Sequence, residues 1–286
     1  MCIRDRGKTI IIAEHRLYYL MDLVDRFIVM SDGQMIEEYD AEAFNRLPQT
    51  AVAQLGLRAT DLRALQPSSH TDQSNHDGLS IKGLKYRYHR RAPWVLDIDE
   101  LHIARGQVTA LIGHNGAGKS TFARCLTGVL HPNHGRIMFD QQVLSNKERL
   151  KRIYMVFQEV SHQLFTESVE EELLLSQPGM NSDEIKTELE KHQLASLQQQ
   201  HPIALSGGEQ QRLAVASAMV ADREVLIFDE PSSGLDGARM REMSQQLNEL
   251  AAAGYTVILI THDYELLLNC VDPLSLNKGV SLLSTP

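Results

Sequence analysis

The sequence is poor in cysteine, in runs of positive charge and in long hydrophobic stretches. Its three cysteines, Cys2, Cys125 and Cys270, stand far apart in 286 residues, which excludes a disulfide framework or a cysteine metal knuckle and fits a reduced setting. No run of about 18 apolar residues occurs, so no segment reads as a membrane-spanning helix. No apolar secretory core opens the chain either, and secretion is not expected. Lys and Arg number 28 against 37 Asp and Glu, a net charge of −9, and this acidic balance argues against general nucleic-acid binding. The chain is 43% hydrophobic and long enough for one large core plus a smaller piece.

Against that background, the run Gly113-His114-Asn115-Gly116-Ala117-Gly118-Lys119-Ser120-Thr121 stands out. It fits G-x-x-x-x-G-K-[ST], a loop whose backbone N–H groups cradle phosphates while the lysine reaches the outer ones and the hydroxyl holds Mg²⁺. Residues 108–112 before it read as a strand and 121–129 after it as a helix, which would set the phosphates on a helix N-terminus. Alone, the pattern also describes a glycine-rich turn with no ligand. A second segment, Val225-Leu226-Ile227-Phe228-Asp229-Glu230-Pro231, reads as a buried parallel strand carrying two carboxylates to the carboxyl edge of a sheet. Asp229 is placed to bind Mg²⁺ through water, and Glu230 to orient or deprotonate the attacking water. A third, Leu205-Ser206-Gly207-Gly208-Glu209-Gln210-Gln211, precedes that strand; Ser206, Gly207 and Gly208 open a helix expected over 209–219, whose N-terminus favours an anion.

With these motifs in this order, residues 78–275 resemble the nucleotide-binding domain of ATP-binding cassette (ABC) proteins. The resemblance implies an α/β P-loop NTPase fold with a mainly parallel sheet core, an antiparallel β flank and a helical subdomain, with ATP and Mg²⁺ as cofactors. Gln158, after the strand expected at 153–157, matches the glutamine that senses metal and water. Ser233-Gly234-Leu235-Asp236 matches the D-loop, and His262, after 256–261, matches the switch histidine that contacts the γ-phosphate. Tyr88 matches the aromatic that stacks on adenine, with Tyr86 as the alternative. The implied machinery is therefore Lys119, Gln158, Glu230 and His262 for catalysis, and Ser120, Gln158 and Asp229 for the metal. Tyr88, residues 113–121, Ser206–Gly208 and Asp236 hold the nucleotide. In this family two domains face head to tail, the signature of one closing over ATP held by the other, so ATP joins the pair and hydrolysis releases it.

The first forty residues repeat the end of the chain. Gly7-Lys-Thr-Ile-Ile-Ile-Ala-Glu-His15 runs parallel to Gly254-Tyr-Thr-Val-Ile-Leu-Ile-Thr-His262, and the match continues to Val24-Asp25 against Val271-Asp272. Each copy then offers a short apolar strand and a glycine turn, at Gly33 and Gly279. No phosphate loop, signature or acidic strand end precedes His15. Residues 1–46 therefore read as the tail of a first cassette, with 1–6 outside the family pattern, 47–77 as a linker, and 78–286 as a near-complete cassette ending in a divergent Asp272-Pro273 segment. The linker combines a short helix expected over 51–65 with a polar stretch and lacks the dense Lys/Arg of a segment that grips nucleic acid. Strands are expected at 80–88 and 95–103, and helices at 169–175 and 182–197.

Other features read blandly. His131 and His134 are a turn before a metal site, Arg87, His89, Arg90 and Arg91 a solvated rim, and Glu167, Glu170, Glu171 and Glu172 a solvated first helical turn. The partner-facing segment is more particular: Gln163-Leu-Phe165 followed by Ser168-Val169 resembles the energy-coupling factor cassettes, which drive vitamin and metal-ion uptake, and in which this loop borders the groove for a helix of a membrane partner. The expectation is a peripheral ATPase on the cytoplasmic face of the plasma membrane. Its partners are a second cassette, supplied by the tandem chain or by a homodimer, and a membrane transport component, with no nucleic acid. The alternatives are a soluble tandem factor acting on ribosomes or nucleic acid, and a module that closes on ATP without hydrolysing it.

Overall fold

The computed structural model describes residues 8–31, 33–64 and 77–270. They fall into two compact units, one of Met1–Leu65 with Gly234–Arg241, the other of Gln66–Ser233 with Glu242–Pro286. The segments around Asp272-Pro273 and Gly279, with Met1 to Arg6 and most of the polar linker, lie outside the described residues.

In the first unit, β1 (Arg26–Ser31) and β2 (Gln34–Asp40) form an antiparallel hairpin. It turns at Gly33, whose φ of +77° suits a residue without Cβ. α1 (Ala41–Asn45), capped by the Asp40 carboxylate, packs Phe44 on Phe27 at 4.1 Å between ring centroids, and with Leu17 they make a small core. α2 (Gln49–Gln54) is shorter than the helix expected over 51–65, because Gly56 leaves the helix at φ +73°. The chain resumes as a 3₁₀ turn at Leu62–Ala64.

The second unit contains two sheets. β3 (Gly78–Tyr86), β4 (Leu96–Ala104), β6 (His134–Phe139) and β7 (Gln142–Val143) form an antiparallel sheet in the order β4-β3-β6-β7. β5 (Val108–Leu111), β8 (Ile153–Val156), β9 (Val225–Asp229) and β10 (Thr256–Ile260) form a wholly parallel sheet in the order β5-β10-β9-β8. Every residue of β9 and β10 is buried, as strands covered on both faces must be. α3 (Lys119–Thr127) buries Phe122, Cys125 and Leu126 in a core shared by both sheets.

The remaining helices are α4 (Asn146–Arg152), α5 (Val169–Ser176), α6 (Ser182–Lys191), α7 (Gly207–Val220), α8 (Gly237–Ala252) and α9 (Tyr264–Cys270). Two of these helices differ from expectation. α6 ends at Lys191 rather than near 197, because Gln193 turns left-handed at φ +55°. α7 begins at Gly207, two residues early, because Ser206 and Glu209 close a capping box there. The fold is the α/β P-loop architecture with its antiparallel flank.

Strand register brings the site together. Ile260 of β10 pairs with Leu111 of β5 on one side and Asp229 of β9 on the other, so the loops that follow all three leave one carboxyl edge.

Candidate functional site

The loop between β5 and α3 is shaped by its glycines. Gly116 and Gly118 take φ of +85° and +88°, and a Cβ on Gly118 would lie 3.1 Å from the Val95 carbonyl oxygen. A side chain at 118 thus meets both backbone strain and backbone atoms. The first-turn amides of α3 have no carbonyl a turn earlier to bond, and they face the loop with the positive end of the helix dipole. Lys119 folds back over the loop, its Nζ donating to Gly113 O at 2.6 Å and His114 O at 3.1 Å. A cation held over a ring of amides in this way suits an oligophosphate.

Ser120, in the first turn of α3, donates from Oγ to Asp229 Oδ2 at 3.2 Å. Burial pushes the Asp229 carboxyl above its ordinary value; the Ser120 bond opposes this, and the neighbouring Glu230 charge adds to the rise. A desolvated carboxylate beside a hydroxyl fits Mg²⁺, which takes oxygen ligands, few of them from protein. Gln158, the third expected metal ligand, is exposed on the loop after β8, and the structure does not bring it to hydrogen-bonding distance of Ser120 or Asp229.

Glu230 has φ +50°, rare for a residue with a side chain. Its N–H donates to Ile260 O at 2.8 Å, and its carboxylate accepts from Thr261 Oγ1 at 3.0 Å. His262 Nε2 lies 3.2 Å from Lys119 Nζ and 3.9 Å from Glu230 Oε1. One edge therefore collects Lys119, Ser120, Asp229, Glu230 and His262, from the ends of β9 and β10 and the first turn of α3. Behind them, buried Asp263 accepts from Ser232 Oγ at 2.6 Å and its N–H donates to Thr261 Oγ1 at 3.1 Å. Sequence reading did not single out Thr261, Ser232 or Asp263; their positions beside Glu230 and His262 were the available signal.

Tyr88 is 52% exposed and shares a hydrogen bond with Thr121 Oγ1 at 3.0 Å, whereas Tyr86 is buried in β3. Of the two tyrosines, only Tyr88 offers a ring to a ligand. Ser206, Gly207 and Gly208 sit at the start of α7, where the Ser206 hydroxyl pairs with Glu209, and no hydrogen bond joins them to the phosphate loop. Asp236 belongs to the first unit, where its Oδ1 accepts from Arg239 N at 2.9 Å at the start of α8.

The acidic run needs one correction. Glu172 is not solvated: it is 2% exposed, and its Oε2 accepts from Phe165 N, Thr166 N and, at 2.7 Å, Thr166 Oγ1. With Gln163, which accepts from Phe157 N, it holds the 163–166 loop so that the Phe165 ring is 70% exposed. Arg87 lies over the Trp94 ring at 4.3 Å, while residues 89–91 are exposed, as a rim should be. No cluster of three or more potential metal ligands from His, Cys, Asp and Glu forms among the described residues, and none of their helices is long and apolar enough to cross a membrane.

Comparison with known proteins agrees with this geometry. The family model described as ABC transporter matches residues 96–233. The chain is 41% identical over 272 residues to a putative ABC transporter ATP-binding protein of Treponema denticola, covering 92% of this chain and 55% of that protein. It is 31% identical over 297 residues to a putative HMP/thiamine import ATP-binding protein of Bacillus subtilis, covering 94% and 54%. Thus the chain spans about half the length of these curated relatives. Among solved structures it is similar to cbiO1 of Clostridium perfringens, part of the ABC transporter complex cbiONQ, with 32% identity, a TM-score of 0.58, and coverage of 68% of this chain and 83% of that one.

Proposed function

The chain belongs to the ABC transporter ATP-binding family, whose domains hydrolyse ATP, and from that premise we propose that it is the ATPase subunit of an energy-coupling factor type importer, powering uptake of a vitamin or metal ion through a membrane partner. The observation that carries this reading is the convergence of Lys119, Ser120, Asp229, Glu230 and His262 at one sheet edge. Phosphoryl transfer to water asks a protein mainly for positioning and charge stabilisation. Lys119 and the loop amides hold the outer phosphates, Tyr88 stacks on the base, and Glu230 orients the water and receives its proton. His262, between Lys119 and Glu230, contacts the γ-phosphate. Ser120 and Asp229, together with Gln158, would hold Mg²⁺, which would supply charge neutralisation at the phosphate oxygens. Ser206, Gly207, Gly208 and Asp236 act across the pair, on ATP bound by the other cassette.

The importer reading is supported by the exposed Phe165 on its braced loop and by the named import role of the Bacillus subtilis relative. The tandem reading assigns residues 1–46 to the tail of a first cassette, 47–77 to a linker and 78–286 to the second cassette. It draws support from burial: Ile10, Ile11 and Ile12 are 51%, 92% and 53% exposed, while their counterparts Val257, Ile258 and Leu259 are 0%, 1% and 0% exposed between two strands. In this reading the chain is peripheral at the cytoplasmic face of the plasma membrane, works with a second cassette, and does not bind nucleic acid.

The deciding experiment is phosphate release by the purified chain with ATP and Mg²⁺. Wild type should turn over, Lys119→Ala should lose nucleotide binding, and Glu230→Gln should keep bound ATP while losing about 100-fold or more in rate, as expected when a group serving only the transition state is removed. Unchanged turnover in Glu230→Gln would sink the assigned role. For the importer, Phe165→Cys should cross-link to a polytopic membrane component in native membranes; failure there with intact ATPase activity would favour a soluble factor.

A further inference from the structure

Arg58 is 1% exposed and is among the largest fully buried side chains of the described residues. A guanidinium stays charged at any accessible pH and is costly to bury unless its donors are used, so such a position is built for a partner. Its Nε donates to the main-chain oxygen of Leu235 at 3.0 Å, across 177 residues of sequence. Two more bonds join the same segments. Gly237 N donates to Gly56 O at 2.9 Å, and the Arg241 guanidinium donates to Ala53 O at 3.3 Å. Carbonyls at and just after the end of α2 thus meet the first amide of α8 and a cation one turn further on. The fit admits no side chain at 237: a Cβ there would press on the Leu57 carbonyl and lie 2.9 Å from Arg58 N.

We propose that the segment 53–58 is a clamp on the loop that follows Glu230, and that Arg58 is a positioning residue for ATP hydrolysis. The proposal rests on the ATPase reading above. Leu235 comes five residues after Glu230, and Ser233 N donates back to Glu230 O at 3.2 Å. The same stretch contains Gly234 at φ +74°, a left-handed conformation that a residue without Cβ adopts at little cost. Glu230 itself is held to Ile260 and Thr261; the clamp at Leu235, Gly237 and Arg241 fixes the other end. A segment ahead of the nucleotide-binding domain thereby sets how firmly the Ser233–Asp236 stretch is presented, and chain that comes before the cassette gains a mechanical connection to its turnover.

The test uses the full chain and two variants that break the clamp from opposite sides. Arg58→Met keeps bulk but removes charge and donors. Gly237→Ala leaves Arg58 intact and favours helix by itself, so any loosening it causes reports the steric contact. Hydrogen exchange followed by mass spectrometry should show peptides over 234–241 exchanging at least about tenfold faster in both variants, with peptides over 26–40 and 108–127 unchanged. Steady-state ATPase should show kcat falling roughly three- to tenfold with KM for ATP unchanged, and Arg58→Lys should recover part of the loss. Wild-type exchange over 234–241 in both variants overturns the clamp. Loosening with unchanged kcat overturns the positioning role. A wild-type chain that does not hydrolyse ATP overturns the ATPase reading instead, and the exchange data still decide the clamp.

Discussion

At the scale of single residues, Glu230 combines two demands that conflict in an ordinary peptide: a left-handed backbone and a side chain aimed at one spot. The backbone strain costs roughly 1–2 kcal/mol and is held by the bonds to Ile260 and Thr261. Thr261 serves on both sides, donating to Glu230 and accepting from Asp263 N. Thr261→Val keeps the shape and removes both bonds, so kcat should fall about tenfold while KM for ATP stays near wild type; an unchanged kcat in steady-state assays would remove Thr261 from the mechanism. Cys125 makes a different residue-scale prediction. It is fully buried on α3, and desolvation pushes its thiol up to about 11. With so little thiolate and no access, it should resist alkylation at pH 8 in the native chain and react only after denaturation, as intact-mass measurement will show. A small apolar residue at that position of α3 faces only the core.

At the scale of elements, the phosphate loop depends on a glycine that opens α3. Gly118→Ala brings both a left-handed alanine and a methyl against the Val95 carbonyl, and should lower stability by about 1–3 kcal/mol in thermal denaturation. Gly116→Ala, with nothing within 4 Å of the new Cβ, should cost only the backbone term, about 1 kcal/mol. α6 carries a pH dependence. Burial raises the Glu188 carboxyl, but hydrogen bonds from His192 and Lys191 outweigh it and leave the group below its ordinary 4.5. A depressed acid stabilises the fold above its ordinary value and loses that contribution as pH falls through the lowered one. The urea midpoint should therefore drop below about pH 4.5, and Glu188→Gln should flatten that limb. The elements themselves were legible wherever pattern and punctuation coincided. β9 read as a buried strand because Val225 to Phe228 are consecutive apolar residues, and all five residues of the strand are buried. The ends of α2 and α6 did not, since they turn on Gly56 and on the left-handed Gln193, a conformation that glutamine does not advertise.

At the scale of the molecule, the signature helix and the phosphate loop are not hydrogen-bonded to each other within one chain. Ser206 and Gly207 are instead exposed at the start of α7. If they act on ATP held by another cassette, Glu230→Gln should pass from monomer to dimer on adding ATP and Mg²⁺ in analytical ultracentrifugation. Gly207→Asp, which sets a charge against the incoming phosphates, should block that shift without weakening ATP binding by the chain itself. A monomer at saturating ATP would exclude self-pairing and leave the tandem partner. The sequence by itself determined the family, the P-loop architecture and the strand ends at which the chemistry sits, because glycine loops, buried strands and terminal carboxylates are short-range patterns written in consecutive residues. Only the tertiary structure decided that Thr261 and Asp263 brace Glu230, that Glu172 is buried to present Phe165, that Tyr88 rather than Tyr86 faces solvent, and that Arg58 grips Leu235. Each of these depends on how segments pack or on bonds formed after the chain has turned back on itself, and the cost of burying an acid or a guanidinium is met by partners that no local pattern contains.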